Sequence, residues 1–168
     1  FIYGPGVENP PSGVRVIRVW RTQEMKEAFE SELKHGYDIV VATAAAQDLM
    51  VENPLDRKLR STESVELKLV PAPRIVDGAK RIAPKTFVIV FKAEYGATDE
   101  ELVRAAEAKL EEGFDMVVAN DVSRPGIGFG EDMNEVMFVQ RSGVESFKGR
   151  KDEIAHRIFD IALKRMRS

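Results

Sequence analysis

TFVIVFKAEYGATDEELVRAAEAKLEEGFDMVVAND (Thr86–Asp121) reads as one strand–helix–strand unit. Thr86–Phe91 and Asp115–Ala119 are short, β-branched and apolar on both faces, the pattern of strands covered by helices on both sides. Between them, Thr98-Asp-Glu-Glu101 has the form of a capping box. The Thr98 hydroxyl accepts from the Glu101 N–H, and the Glu101 carboxylate reaches back to the Thr98 N–H. The predicted helix runs on through Leu102, Ala106 and Leu110 and stops at Gly113.

The same alternation extends outward. Tyr37–Ala42 is a third buried strand, Val14–Trp20 an earlier one, and Phe1–Gly4 the tail of another. A helix capped by Thr22 is expected to run to about His35, with Met25, Ala28, Phe29 and Leu33 on one face and Gly36 as its stop. Arg74 to about Ala83 is a shorter helix and Glu135–Val139 a further strand. Lys151–Met166 is a closing helix that lines up Ile154, Ile158, Ile161 and Ala162. Alternating helices and strands predict one α/β domain over 1–168: three-layer and Rossmann-like, with a mainly parallel sheet and helices on both faces. Ala44–Ser64 breaks the pattern; it is long, polar and interrupted by proline. Val65–Val70 alternates and ends at Pro71-Ala-Pro73, as a strand of a β-ribbon protruding from the sheet. A connection this long inside a compact domain is usually functional or disordered.

Composition narrows the function. The chain has 168 residues and a formal net charge of -3 with acids and bases interleaved, so it offers no general nucleic-acid surface. It has no cysteine, and its two histidines, His35 and His156, lie far apart, against disulfide, thiolate and histidine-zinc chemistry. No apolar run approaches the ~18 residues needed to span a membrane. No signal peptide is visible, and a cytoplasmic protein is expected.

In doubly wound folds ligands sit beyond the carboxyl ends of the parallel strands. That rule selects Thr43, Ala44, Ala45, Ala46, Gln47 and Asp48; Lys92, Ala93 and Glu94; and Asn120 with Asp121. Small residues let a ligand approach the backbone, and Asp48 can accept from a ribose hydroxyl. Alternatively, the alanines open a helix and Asp48 is solvated. Arg57-Lys58-Leu59-Arg60 is the most basic point of the chain. It either closes over a polyphosphate from a mobile loop or solubilises the surface. Lys109 sits mid-helix, where most lysines face solvent. Gly126-Ile-Gly-Phe-Gly130 resembles a phosphate cradle, but a strand follows it where a dinucleotide fingerprint needs a helix; a P-loop motif is absent. The residues by themselves thus give an α/β domain that binds a nucleotide or an acidic metabolite at its strand ends. A nicotinamide-dependent enzyme is the rival.

Seven motifs, in order, resemble the phosphopantothenate–cysteine ligases of coenzyme A biosynthesis: YGPG (Tyr3–Gly6), ATAAAQD (Ala42–Asp48), RKLRS (Arg57–Ser61), APRIV (Ala72–Val76), VFKAEY (Val90–Tyr95), ANDVS (Ala119–Ser123) and GFGEDMNEV (Gly128–Val136). The resemblance implies activation of 4′-phosphopantothenate by a nucleoside triphosphate, CTP in preference to ATP, then amide formation with L-cysteine, with Mg²⁺ present. It makes Lys58 the catalytic cation over the triphosphate. It sets Ala42, Thr43, Ala44 and Asp48 against the nucleotide, Pro73, Arg74, Ile75 and Val76 at the base, Phe91 packing near it, and Lys109 on the following helix. Ala45, Asn120 and Asp121 become candidates for substrate contact; the metal ligands are not specified. The resemblance also implies a homodimer, for which the ribbon around Val65–Val70 is a candidate interface, and a fused or associated decarboxylase, to which any FMN would belong. The second lysine that bacterial members of the family often carry, four residues beyond the position of Lys109, is Gly113 here. Its first strand–helix segment is missing ahead of Phe1, so the chain is expected to be N-terminally truncated.

Overall fold

The computed structural model describes residues 1–6, 9–62, 64–127 and 130–167. In chain order the elements are β1 (Ile2–Tyr3), β2 (Ile17–Arg18), α1 (Thr22–Leu33), β3 (Ile39–Ala42), β4 (Leu49–Val51), β5 (Leu69–Pro71), α2 (Ala79–Ile82), β6 (Phe87–Glu94), α3 (Asp99–Glu111), β7 (Met116–Asp121), β8 (Met133–Gln140), β9 (Gly143–Arg150) and α4 (Lys151–Met166). They gather into two compact units, Phe1–His35 with Ala44–Gly78, and Gly36–Thr43 with Ala79–Ser168.

The second unit holds the main sheet, in the order β3-β6-β7-β8-β9. The β3–β6 and β6–β7 pairs are parallel, whereas β7–β8 and β8–β9 are antiparallel. A parallel Rossmann-like half is thus closed by an antiparallel hairpin. The Thr86–Asp121 unit forms as its sequence indicates. Thr98 caps α3, its Oγ1 accepting from the Glu101 N–H at 3.3 Å while the Glu101 carboxylate accepts from the Thr98 N–H at 2.9 Å. The second contact leads the causes that lower the Glu101 pKa. Side chains alternate along each strand. Phe87, Ile89, Met116, Val118, Val136 and Phe138 pack with Ile154, Ile158 and Ala162 of α4. The residues between them point to the opposite face, where α3 buries Leu102, Ala106 and Leu110.

At the amino-terminal edge of this sheet the Asp115 carboxylate accepts from Lys80 Nζ and the Val88 N–H, each at 2.8 Å. Lys80 also donates to the Thr86 carbonyl at 2.8 Å, and the Thr86 hydroxyl to that of Tyr37 at 2.7 Å. Val88 is fully buried, so Asp115→Ala leaves its N–H without an acceptor. We expect a loss of about 1–3 kcal/mol in urea unfolding.

In the first unit β1 and β2 pair in parallel, and α1 buries Phe29 and Leu33. Several boundaries differ from expectation. The strand predicted over Val14–Trp20 is only Ile17–Arg18, because β1 offers two residues to pair with. The α1 cap is Arg21 rather than Thr22; the Glu24 carboxylate satisfies the N–H groups of Trp20 and Arg21 at 2.8 and 3.2 Å. The helix predicted over Arg74–Ala83 shrinks to Ala79–Ile82, since residues 75–78 form a turn spanned by an Arg74–Asp77 ion pair at 3.2 Å. The ribbon strand predicted over Val65–Val70 is Leu69–Pro71, limited by its three-residue antiparallel partner β4. That partner lies inside the segment read as an irregular connection.

Candidate functional site

Alternating strand geometry sorts the residues at the carboxyl ends of the parallel strands. Asn120 and Asp121 end β7, both are buried, and they point to opposite faces. Asp121 is committed to the protein. Its carboxylate accepts from the N–H groups of Gly96 and Ser123 and from the Ser123 hydroxyl, each at 2.9 Å, and Arg124 Nε stands 3.6 Å away. The Ser123 N–H is foremost in holding this carboxyl below the ordinary aspartate value of 3.8. Whatever stability the charged form contributes is therefore complete above that value and is lost only as pH falls below it. The contact from Asp121 to the N–H two residues on is an Asx turn.

Asn120 differs. It is 6% exposed, and no hydrogen bond of its carboxamide occurs among the described residues; since no buried side-chain nitrogen or oxygen among them lacks a partner, the carboxamide keeps its contact with solvent. Its neighbour in register, Ala93 on β6, is exposed. A carboxamide offers two donors and an acceptor, and a group so placed at an open strand end is suited to a ligand. Phe91, two residues before Ala93, is half-buried against the α4-side core.

The turn between β6 and α3 is held from both sides. Gly96, at φ +70, takes a backbone conformation that side chains disfavour and aims its N–H at Asp121. Arg124, which sequence reasoning did not single out, donates to Asp99 at the start of α3 at 2.7 Å and to Glu135 on β8 at 2.9 Å. Its signal in the sequence is the Asp-x-Ser-Arg order, an Asx turn followed by a cation. The glycine cluster adds no helix N-terminus. Gly126 and Gly130 both have positive φ, as residues that shape a loop do; Gly128 and Phe129 lie outside the described residues.

The remaining expected residues divide between the units. Ala42 is half-buried at the end of β3, and Thr43 after it is exposed. Lys109 lies in the last turn of α3 rather than mid-helix and pairs with the C-cap residue Glu112 at 3.0 Å. In the first unit Ala44, Ala45 and Asp48 are exposed and not helical, which removes the reading in which the alanines open a helix. The Asp48 carbonyl accepts from the Ala72 N–H at 2.8 Å, and Leu49 faces Pro71 in the ribbon register. The ribbon thus brings Asp48 to the segment Pro73–Val76 from far along the chain. Lys58 is exposed in the connection between β4 and β5, with no ion pair or hydrogen bond of its ammonium among the described residues.

Residues 1–166 match the family model described as "DNA/pantothenate metabolism flavoprotein C-terminal domain". The chain belongs to this family. It is 42% identical over 147 residues to the coenzyme A biosynthesis bifunctional protein CoaBC of Thermococcus kodakarensis, covering 86% of this chain and 36% of that protein. It is 34% identical over 160 residues to the protein of the same name in Methanocaldococcus jannaschii, covering 95% of this chain and 39% of that one. The chain therefore spans well under half the length of these relatives. A crystal structure of the C-terminal domain of a CoaBC protein superposes with a TM-score of 0.73 at 25% identity, covering 99% of this chain and 74% of that one.

Among the described residues, no helix is long and apolar enough to cross a membrane, and no group of three or more His, Cys, Asp or Glu stands together as a metal site.

Proposed function

We propose that this chain carries the phosphopantothenate–cysteine ligase activity of coenzyme A biosynthesis. The observation that carries the reading is the family match over residues 1–166, reinforced by 42% identity to a protein named for that pathway. The 4′-phosphopantothenate carboxylate attacks the α-phosphate of a nucleoside triphosphate, CTP in preference to ATP. The bond to pyrophosphate breaks and an acyl-nucleotide forms. The cysteine amine then attacks the acyl carbon, an amide forms, and the nucleoside monophosphate leaves. Activation is needed because a carboxylate is a poor electrophile.

Lys58 supplies a cation to the triphosphate as charge shifts to the leaving pyrophosphate. Ala42, Thr43, Ala44, Asp48, Phe91, Lys109 and the 73–76 turn receive the nucleotide, with Asn120 and Ala45 beside the acid. Asp121 takes the part of a brace for Asn120, given its three donors within the protein. Mg²⁺ brought in by the triphosphate would supply neutralisation of phosphate charge, with few protein ligands required of the chain. An FMN belongs to a decarboxylase half, fused or associated. The reading places the reaction in the cytoplasm.

We also infer a homodimer. A two-stranded ribbon is marginal by itself, and the ribbon and its connection leave Leu49, Met50, Leu55, Leu59, Leu67 and Leu69 between 41% and 56% exposed. A second copy would cover them.

Calorimetric titration of the complete protein with CTP, ATP and NAD tests the nucleotide assignment. Saturable binding of CTP, or of ATP, is expected. Binding of NAD with no response to either triphosphate would overturn it.

A further inference from the structure

The strand-end turns share one cation. Arg124 donates from its two terminal nitrogens to Asp99 and Glu135, at 2.7 and 2.9 Å, and its Nε faces Asp121 at 3.6 Å. These acids belong to three elements: the first residue of α3, the last of β7, and β8. Glu135 is also paired with Lys148 of β9 at 3.3 Å. Through Asp121 the network reaches the Gly96 and Ser123 N–H groups. Asn120 precedes Asp121 and faces the other way, buried and with no partner among the described residues.

A carboxamide that no protein group holds, on a largely buried residue but with its polar atoms open to solvent, needs a stiff backbone beneath it. Otherwise a small rotation of the strand end lets it turn onto a neighbouring protein group and withdraw from a ligand. Lysine would be a weak substitute at position 124, because only a planar guanidinium has donors spread widely enough to serve three carboxylates at once. We propose that Arg124 is a positioning residue, which joins the β6–α3 turn to the β7–β8 loop so that Asn120 stays presented to the substrate. The inference rests on the ligase reading for the identity of the substrate, and on this unit's geometry alone for the clamp.

The test is a double-mutant cycle in the complete protein with Arg124→Gln, Arg124→Lys, Asn120→Ala and the Arg124→Gln/Asn120→Ala pair. Amide formation is measured under conditions where every variant is folded. Arg124→Gln and Asn120→Ala each lower kcat/KM by on the order of 100-fold, as a misplaced group does. The pair is no worse than Asn120→Ala alone, because Arg124 acts through Asn120. Arg124→Lys recovers part of the loss. Losses that multiply in the pair, or an unchanged kcat/KM in Arg124→Gln, overturn the proposal. An Asn120→Ala variant with full activity instead removes Asn120 from the site.

Amide hydrogen exchange separates failure of the clamp from failure of the ligase reading. In Arg124→Gln, exchange at Gly96 and Ser123 quickens on the order of tenfold, whichever reaction the protein catalyses. Unchanged exchange there contradicts the clamp even if the protein proves to be no ligase.

Discussion

Replacing Lys58 by alanine is expected to lower kcat for nucleotide-dependent amide formation by about 100- to 1,000-fold, the scale on which one group stabilising transition-state charge acts. The melting temperature should not move. Lys58 is exposed and its ammonium holds no described group, so its removal takes nothing from the folded state. This combination makes the substitution informative, because a fall in rate cannot then be blamed on unfolding. Lys58→Arg keeps the charge but exchanges a compact ammonium for a planar fork, and an intermediate rate is expected. Steady-state kinetics beside thermal melts monitored by circular dichroism decide the matter. Full activity in Lys58→Ala would remove this lysine from the chemistry.

The largest effect on stability is expected at Phe138. It is fully buried in the middle of β8, among Ile89, Met116, Val118 and Val136 of the sheet and Ile154, Ile158 and Ala162 of α4. Phe138→Ala removes a ring from the layer joining the antiparallel hairpin, the parallel strands and α4. Neighbours anchored on a sheet and a long helix collapse into such a space only in part. A loss of about 3–5 kcal/mol follows, read as a fall in the urea midpoint with the slope unchanged. Phe159 on α4 is 47% exposed and serves as the control. Phe159→Ala should cost roughly 0.5 kcal/mol or less, as surface substitutions do. Equal losses at the two positions would contradict the assigned packing.

These two residues show what a sequence carries and what it does not. The apolar runs before and after α3 and the Thr98–Glu101 capping box are local signals, and the elements they indicate form, although β6 runs three residues past Phe91 and β7 two past Ala119. The 151–166 helix was legible for the same reason: its apolar residues repeat at helical spacing. β9 was not. It is an edge strand with largely exposed side chains, so Gly143–Arg150 lacks the apolar pattern of a covered strand. β4 was hidden similarly, since three residues with two exposed leave almost no pattern. Thr22 looked like a cap because capping is read from the residue type at the boundary, whereas here the orphan N–H groups are met from within the helix by Glu24.

The site divides along the same line. Asn120 and Asp121 were found by the strand-end rule, but only three dimensions separate a free carboxamide from a carboxylate occupied by Gly96 and Ser123. Arg124 has no periodicity or motif of its own; its role exists only because Asp99, Asp121 and Glu135 converge from different elements. Lys58 is the opposite case. No hydrogen bond or ion pair of its ammonium among the described residues marks it as functional; the basic cluster left it open between a polyphosphate contact and a solvated surface, and the RKLRS match decides for the former.

Pyrophosphate release by the complete protein, followed with CTP or ATP in the presence and absence of 4′-phosphopantothenate and of L-cysteine, tests the ligase reading most directly. We expect release that requires phosphopantothenate and a triphosphate, with an amide product once cysteine is added. Release that persists without phosphopantothenate, or triphosphate binding with no amide formed from the full substrate set, would contradict it.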